Sequence, residues 1–247
     1  MRIKKILIPL LVAVSICMQF STSAPIPERM YISPNNDGIQ DVLEIPLKIY
    51  EKRYLVEWYL IIEDSTGSVV RTIGNKERRI ENYSAQNIFK RLFAHKKGVE
   101  VPSTIVWNGR MDNGDVAPDG LYNYYFTAKD DNGNQSATER MQIVVDNTPP
   151  VAHIVAPHEK VFGQGEYPQF VIQQSGSTED MWRAEVRNVE NTVVKTYRWY
   201  SAAPNTISWD GLDDKRNILP DGVYSYTITA TDRAGNVSEP AEISNII

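Results

Sequence analysis

The sequence predicts an all-β protein built from two tandem sandwich domains. Three observations lead there. The stretch PDGVYSYTITATDRAGN at 220–236 restates PDGLYNYYFTAKDDNGN at 118–134. Within each stretch apolar residues recur at every second position, the period of a strand with one face buried and one face wet. Turn chemistry, Asp-Gly ahead and Gly-Asn behind, bounds each run.

The chain has 247 residues, room for one or two domains with a proper core. It opens on a basic MRIKK, an apolar ILIPLLVAVSICMQF at 6–20 and a small-residue STSA. That order reads as a signal peptide over 1–23, cut after Ser23 because Pro25 obstructs a cut after Ala24. The apolar run is short for a membrane span and contains Pro9. Cys17 is the one cysteine, and Ile16 before it is bulky for a lipid-attachment site. Membrane association would therefore come only from the leader or from a lipid at Cys17. Cleavage leaves a chain without disulfides, held by its core alone. It also removes Arg2, Lys4 and Lys5, taking the formal charge from −5 to −8. An acidic chain gives no electrostatic footprint for nucleic acid.

SPNNDGIQD follows, with oxygen-bearing side chains at Ser33, Asn35, Asp37 and Asp41 and a turn-permitting Gly38. These resemble a calcium loop in which Ser33 and Asn35 stand where carboxylates would be. Two carboxylates predict a weak Ca2+ site suited to a calcium-rich exterior. The same residues also read as a hydrogen-bonded Asx turn that starts the first strand.

Domain 1 is placed at 24–146. Its strands are VLEIPLKI, the hairpin WYLIIEDSTGSVVRTI, the short run around Ile105 and Trp107, and the aromatic run Tyr122, Tyr124, Phe126, Ala128. An insertion of about 74–100 interrupts it. Within 75–100 stand seven basic residues against three acidic ones, and SAQNIFKRLFAHKKG reads as a short helix with Ser84 as N-cap and Gly98 as its stop. Lys90, Arg91, Lys96 and Lys97 on this helix are candidate partner-binding residues for another envelope protein or an acidic polymer or polysaccharide. The simpler reading packs the apolar stripe of Ile88, Phe89, Leu92 and Phe93 on the sandwich edge and leaves the basic residues as a solvated face. The prolines of 147–150 form a stiff linker.

Domain 2, 151–247, repeats the plan without the insertion. Trp58 matches Trp182 and VVRT at 69–72 matches VVKT at 193–196. Trp107-Asn108-Gly109 matches Trp209-Asp210-Gly211, and Asp112 matches Asp214. A repeat this long is a duplicated domain, and about seven short strands per copy fit an Ig-like sandwich.

The shared pattern W(N/D)G…D…PDG(L/V)Y, with a closing GN, resembles the bacterial Ig-like domain first described at the end of the flagellar hook-cap protein FlgD. SPNNDGIQD resembles the SPNGDG opening found ahead of such domains in secreted and surface proteins. The resemblance covers nearly all of 30–247 and implies tandem Ig-like or fibronectin-III-like sandwiches in an exported protein, whether periplasmic, on the outer surface or extracellular. It implies a non-catalytic structural or adhesive module of the bacterial cell envelope. The alternative it leaves open is an accessory region, spacer or carbohydrate-binding, of a larger secreted enzyme.

No residue pattern asks for catalysis. His95, His153 and His158 lack metal-ligand spacing, and neither a G-x-S-x-G nor a phosphate loop occurs. Asp112, Asp119, Asp214 and Asp221 recur inside turns, where carboxylates cap backbone amides. Tyr125, Tyr197, Trp199 and Tyr200 are the aromatic residues that would stack on sugars if they faced solvent together.

Overall fold

A computed structural model describes residues 10–12, 29–49, 54–76, 98–155, 157, 160–163 and 168–247. Most of the leader, Cys17 and the insertion residues Lys90, Arg91, Lys96 and Lys97 lie outside the described residues, as do His95 and His158. The chain divides into two compact units, Met1–Asp146 and Asn147–Ile247.

In the first unit, β3 (Leu43–Ile49) pairs antiparallel with β6 (Thr104–Trp107). On the other side of β3 runs β1 (Leu10–Val12), parallel to it and within the stretch read as leader. The opposing sheet follows the order β2 (Met30–Ile32), β9 (Met141–Val145), β7 (Gly120–Asp130), β4 (Leu55–Glu63), β5 (Val69–Lys76). The short β8 (Gln135–Ala137) also pairs with β7. Most links are antiparallel, but β2 lies parallel to β9.

The second unit carries the same plan, with seven strands among the described residues. One sheet is β10 (Ala152–Val155), β11 (Phe170–Gly176) and β14 (Thr206–Trp209). The other is β13 (Val193–Ser201), β12 (Glu179–Asn188), β15 (Tyr224–Thr231) and β16 (Ala241–Ile246). A three-stranded sheet faces a four-stranded one, and residues 160–162 bond to the end of β16 as β2 does to β9.

Alternation along the strands sets the cores. Trp58, Leu60 and Ile62 on β4 and Tyr122, Tyr124, Phe126 and Ala128 on β7 point inward, onto Leu43 and Ile45 of β3 and Ile105 and Trp107 of β6. The second core repeats this with Trp182, Ala184, Val186, Tyr226, Ile228, Phe170, Ile172 and Trp209. Trp107 and Trp209 are fully enclosed, each edge-on to the first tyrosine of the aromatic run.

At one core position the second copy carries a polar residue where the first carries an apolar one. Leu43 and Phe170 stand opposite the tryptophans, Ile45 and Ile172 follow, and the next inward residue is Leu47 in the first unit but Gln174 in the second. Gln174 is satisfied on both sides. Its Oε1 accepts the Tyr226 hydroxyl at 2.6 Å and its Nε2 donates to the Pro204 carbonyl at 2.9 Å. Burial raises the Tyr226 pKa far above that of a free phenol.

Candidate functional site

The carboxylates that recur in both copies hold the fold together. Asp112 donates its amide to the Val70 carbonyl at 2.8 Å, and its carboxylate accepts the Thr72 amide at 3.2 Å and a contact from Arg71 Nη1 at 3.2 Å. Asp214 donates to the Val194 carbonyl at 3.2 Å and accepts the Thr196 amide at 3.1 Å. Lys195 lies 4.0 Å from its carboxylate. Each aspartate thus clamps the outer edge of a hairpin strand, β5 or β13, whose outward backbone groups pair with no other strand among the described residues.

The rest of the repeated sentence serves the same end. Trp107 Nε1 donates to the Arg110 carbonyl at 2.9 Å, and Trp209 Nε1 to the Leu212 carbonyl at 3.1 Å. Gly109 sits at φ +69°, where the Pro34 Cγ lies 2.4 Å from the place a Cβ would occupy, so no larger residue fits. Tyr122 and Tyr224 return their hydroxyls to the carbonyls of Pro118 and Pro220 at 2.8 and 2.7 Å, which pins the Pro-Asp-Gly turn to the strand it feeds. Asp119 and Asp221 lie exposed in those turns. At the far end Asp130 and Asp232 accept the amides of Asn134 and Asn236, each at 2.9 Å.

The opening loop places Asn35, Asp37 and Asp41 together. Asp41 Oδ1 and Oδ2 accept the amides of Asn36 at 2.6 Å and Gly38 at 2.8 Å. Asp37 Oδ1 accepts the Ile39 amide at 2.7 Å, and its Oδ2 accepts Asn35 Nδ2 at 3.0 Å. Every carboxylate oxygen here already has a donor, and Ser33 is buried at the loop's base. Among the described residues no group of three or more His, Cys, Asp or Glu side chains could hold a metal ion. The loop as folded is an Asx turn, and a cation would have to share its oxygens with N–H donors.

The aromatic residues do not form one platform. Trp199 and Tyr200 are neighbours on β13 and therefore face opposite ways. Trp199 turns inward and stacks on Tyr197 with ring centroids 5.6 Å apart, while Tyr200 is 73% exposed. Burial, with the charges of Asp210 and Asp214, raises the Tyr197 pKa to about 12.

Tyr125 belongs to a cluster that the sequence reading missed. Its hydroxyl donates to Glu63 Oε1 at 3.0 Å, Arg140 Nε donates to Glu63 Oε2 at 2.9 Å, and the guanidinium lies 4.5 Å from the Tyr125 ring centroid. The Arg140 hydrogen bond holds the Glu63 carboxyl below the usual glutamate range. Glu63 and Arg140 are 77 residues apart, so only the pairing of β4 with β7 and β7 with β9 brings them together. A shallow recess of about 310 Å³ opens nearby, lined by Glu57, Tyr59, Thr127, Lys129 and Gln135. Lys76 at 3.3 Å and Lys129 at 3.7 Å flank Glu57.

The strand order and the doubled core define the chain as a pair of Ig-like, fibronectin-III-like β-sandwich modules. No family model matches the chain, and no curated protein matches it. Among solved structures it is similar to the fibronectin(III)-like modules of Clostridium thermocellum CbhA, at 13% identity over 89% of this chain and 88% of that one, with a TM-score of 0.40. It is also similar to the FN1–FN3 domains of chicken CNTN1, at 10% identity over 88% of this chain and 62% of that one, with a TM-score of 0.44. A tetra-tandem repeat from the extending region of a large adhesion protein matches at 17% identity over 78% of this chain and 42% of that one, with a TM-score of 0.33.

Proposed function

We propose that this chain is an exported, non-catalytic structural and adhesive module of a bacterial cell envelope, built from tandem Ig-like domains of the hook-cap type. One observation carries the reading. Asp112 and Asp214 are the recurring polar groups best placed for chemistry, and in both copies they are tied to backbone amides and carbonyls of a neighbouring strand. Residues arranged to hold a frame twice over support a role in presenting surfaces. Function on such a fold lies in what differs between copies. Two surfaces differ most, the basic insertion with Lys90, Arg91, Lys96 and Lys97 in the first unit and the outer face of β13 in the second. The partner of the insertion in this reading is an acidic polymer or another envelope protein.

The test is expression of the tagged full chain in its native host, with cell fractionation, N-terminal sequencing and an attachment assay. The reading expects processed chain starting at Ala24 in the envelope or medium, and weaker attachment when Lys90, Arg91, Lys96 and Lys97 are all changed to Gln. Unprocessed chain in the cytoplasm would sink it.

A further inference from the structure

Beyond that reading, we propose that the free half of β13 is a docking edge for an extended acidic peptide segment, which adds to the second unit as a further strand and places a carboxylate on Arg198. The argument begins with the direction of the backbone groups. The Val194 carbonyl and the Thr196 amide are taken by Asp214, so both point away from β12. Strand parity then sends the N–H and C=O of Arg198 and the N–H of Tyr200 to the same edge, which no other strand covers among the described residues. The clamp covers the first part of the edge and stops there, and the Tyr200 carbonyl turns back to the Ala202 amide at 2.9 Å.

Charge supplies the second observation. Arg198 stands directly opposite Arg183 in the register of β13 on β12. The parity set by Thr196 makes this a non-hydrogen-bonded pair, the closer of the two antiparallel spacings, where like charges oppose folding. Glu185 does not relieve Arg198, because its two oxygens are held by Arg183 and, at 2.5 Å, by Arg187. Among the described residues the Arg198 side chain has no ion pair or hydrogen bond. Beside it Tyr200 is 73% exposed and faces Met181, itself 38% exposed. An unsatisfied guanidinium, an exposed aromatic ring and open backbone groups therefore share one edge.

The same features choose the occupant. Alternating N–H and C=O groups are matched by a polypeptide strand, which a polysaccharide does not offer. A second copy paired edge to edge about this point would set Arg198 against Arg198, which disfavours self-association. An incoming strand with carboxylates on one face gives Arg198 the counter-charge that Glu185, held by Arg183 and Arg187, does not supply. The first unit lacks the feature, since Gly74 and Lys76 occupy the equivalent edge positions and Lys76 is paired with Glu57.

The experiment uses the full chain and the peptide acetyl-Thr-Glu-Val-Glu-Thr-Glu-Val-Glu-amide, with a counterpart carrying Lys for each Glu. Binding is read by calorimetry, and amide hydrogen exchange is read at Arg198 and Tyr200. The acidic peptide should bind and slow exchange at Arg198, and the basic one should not bind. Arg198→Glu should weaken binding about tenfold or more, the loss of one charge-assisted contact. Tyr200→Pro removes an N–H that faces away from β12, so it should weaken binding while leaving the melting midpoint nearly unchanged. Absence of binding, equal binding of the two peptides, or indifference to Arg198→Glu would overturn the proposal. So would polygalacturonate binding with the same Arg198 dependence and no slowed exchange, which would assign the arginines to a polysaccharide.

Discussion

The amide of Thr196 donates to the carboxylate of Asp214 at 3.1 Å across 18 residues, and the first unit repeats the bond between Thr72 and Asp112. In both places a loop aspartate bonds the outer side of a strand that is at the edge of its sheet among the described residues. Asp112→Ala and Asp214→Ala should each destabilise by about 1 kcal/mol in urea unfolding, the net value of a hydrogen bond with a modest charge contribution. Asp→Asn should cost less at either site, because the amide oxygen still accepts. Equal losses from Ala and Asn would remove the clamp.

The buried pair in the second core gives a sharper test. Gln174→Leu imports the residue that the first unit carries as Leu47, and it strands the Tyr226 hydroxyl. The cost should be about 1–3 kcal/mol, the range for an orphaned buried donor. Adding Tyr226→Phe should recover much of that loss, a coupling that a double-mutant cycle would detect.

Acid should weaken the protein through Glu63. Its folded-state pKa lies below the ordinary 4.5, chiefly because Arg140 is hydrogen-bonded to it. The stabilisation is present above the unfolded value and disappears as pH falls through the lower, folded value. Asp64, held down by Thr66, and Asp213, held down by Asn217, act in the same direction. Melting midpoints should therefore drop as pH falls below 4.5, and Glu63→Gln should flatten part of that drop. An unchanged acid limb in Glu63→Gln would contradict the assignment.

The opening loop makes a prediction about metal. Its carboxylate oxygens are already occupied by N–H donors, so chelator should leave the melting midpoint of the full chain unchanged. Calorimetric heat on adding calcium, lost in Asp37→Ala and Asp41→Ala, would contradict this and support a calcium site.

What the sequence disclosed follows from how local each interaction is. The inward tyrosines, the paired tryptophans and the hairpins all follow from periods of two and from turn residues within a few positions. Asp112 and Asp214 were legible as structural because they recur within one repeated sentence. Glu63 with Arg140 and Gln174 with Tyr226 were not legible, since each pair meets only after strands distant in sequence have aligned. The opposed faces of Trp199 and Tyr200 follow from strand parity, which separates adjacent residues. The open edge at Arg198 required knowing where the Asp214 clamp ends.

The parallel pairing of β2 with β9 gives the first unit a mechanical character. One strand lies near the unit's start and the other at its end, and they run side by side in the same direction. A pull that separates the two ends drags these strands lengthwise past each other. The contacts at Met30 and Ile143, Tyr31 and Val144, and Ile32 and Val145 are then loaded together instead of opening one by one. The second unit repeats only the parallel contact, with Phe162 and Ile247 bonded at 2.9 Å and Ile247 and Lys160 at 2.8 Å, after β10 has already paired with β11. In the first unit the parallel pair loads its three residue contacts in shear, the geometry that resists a lengthwise pull as one block.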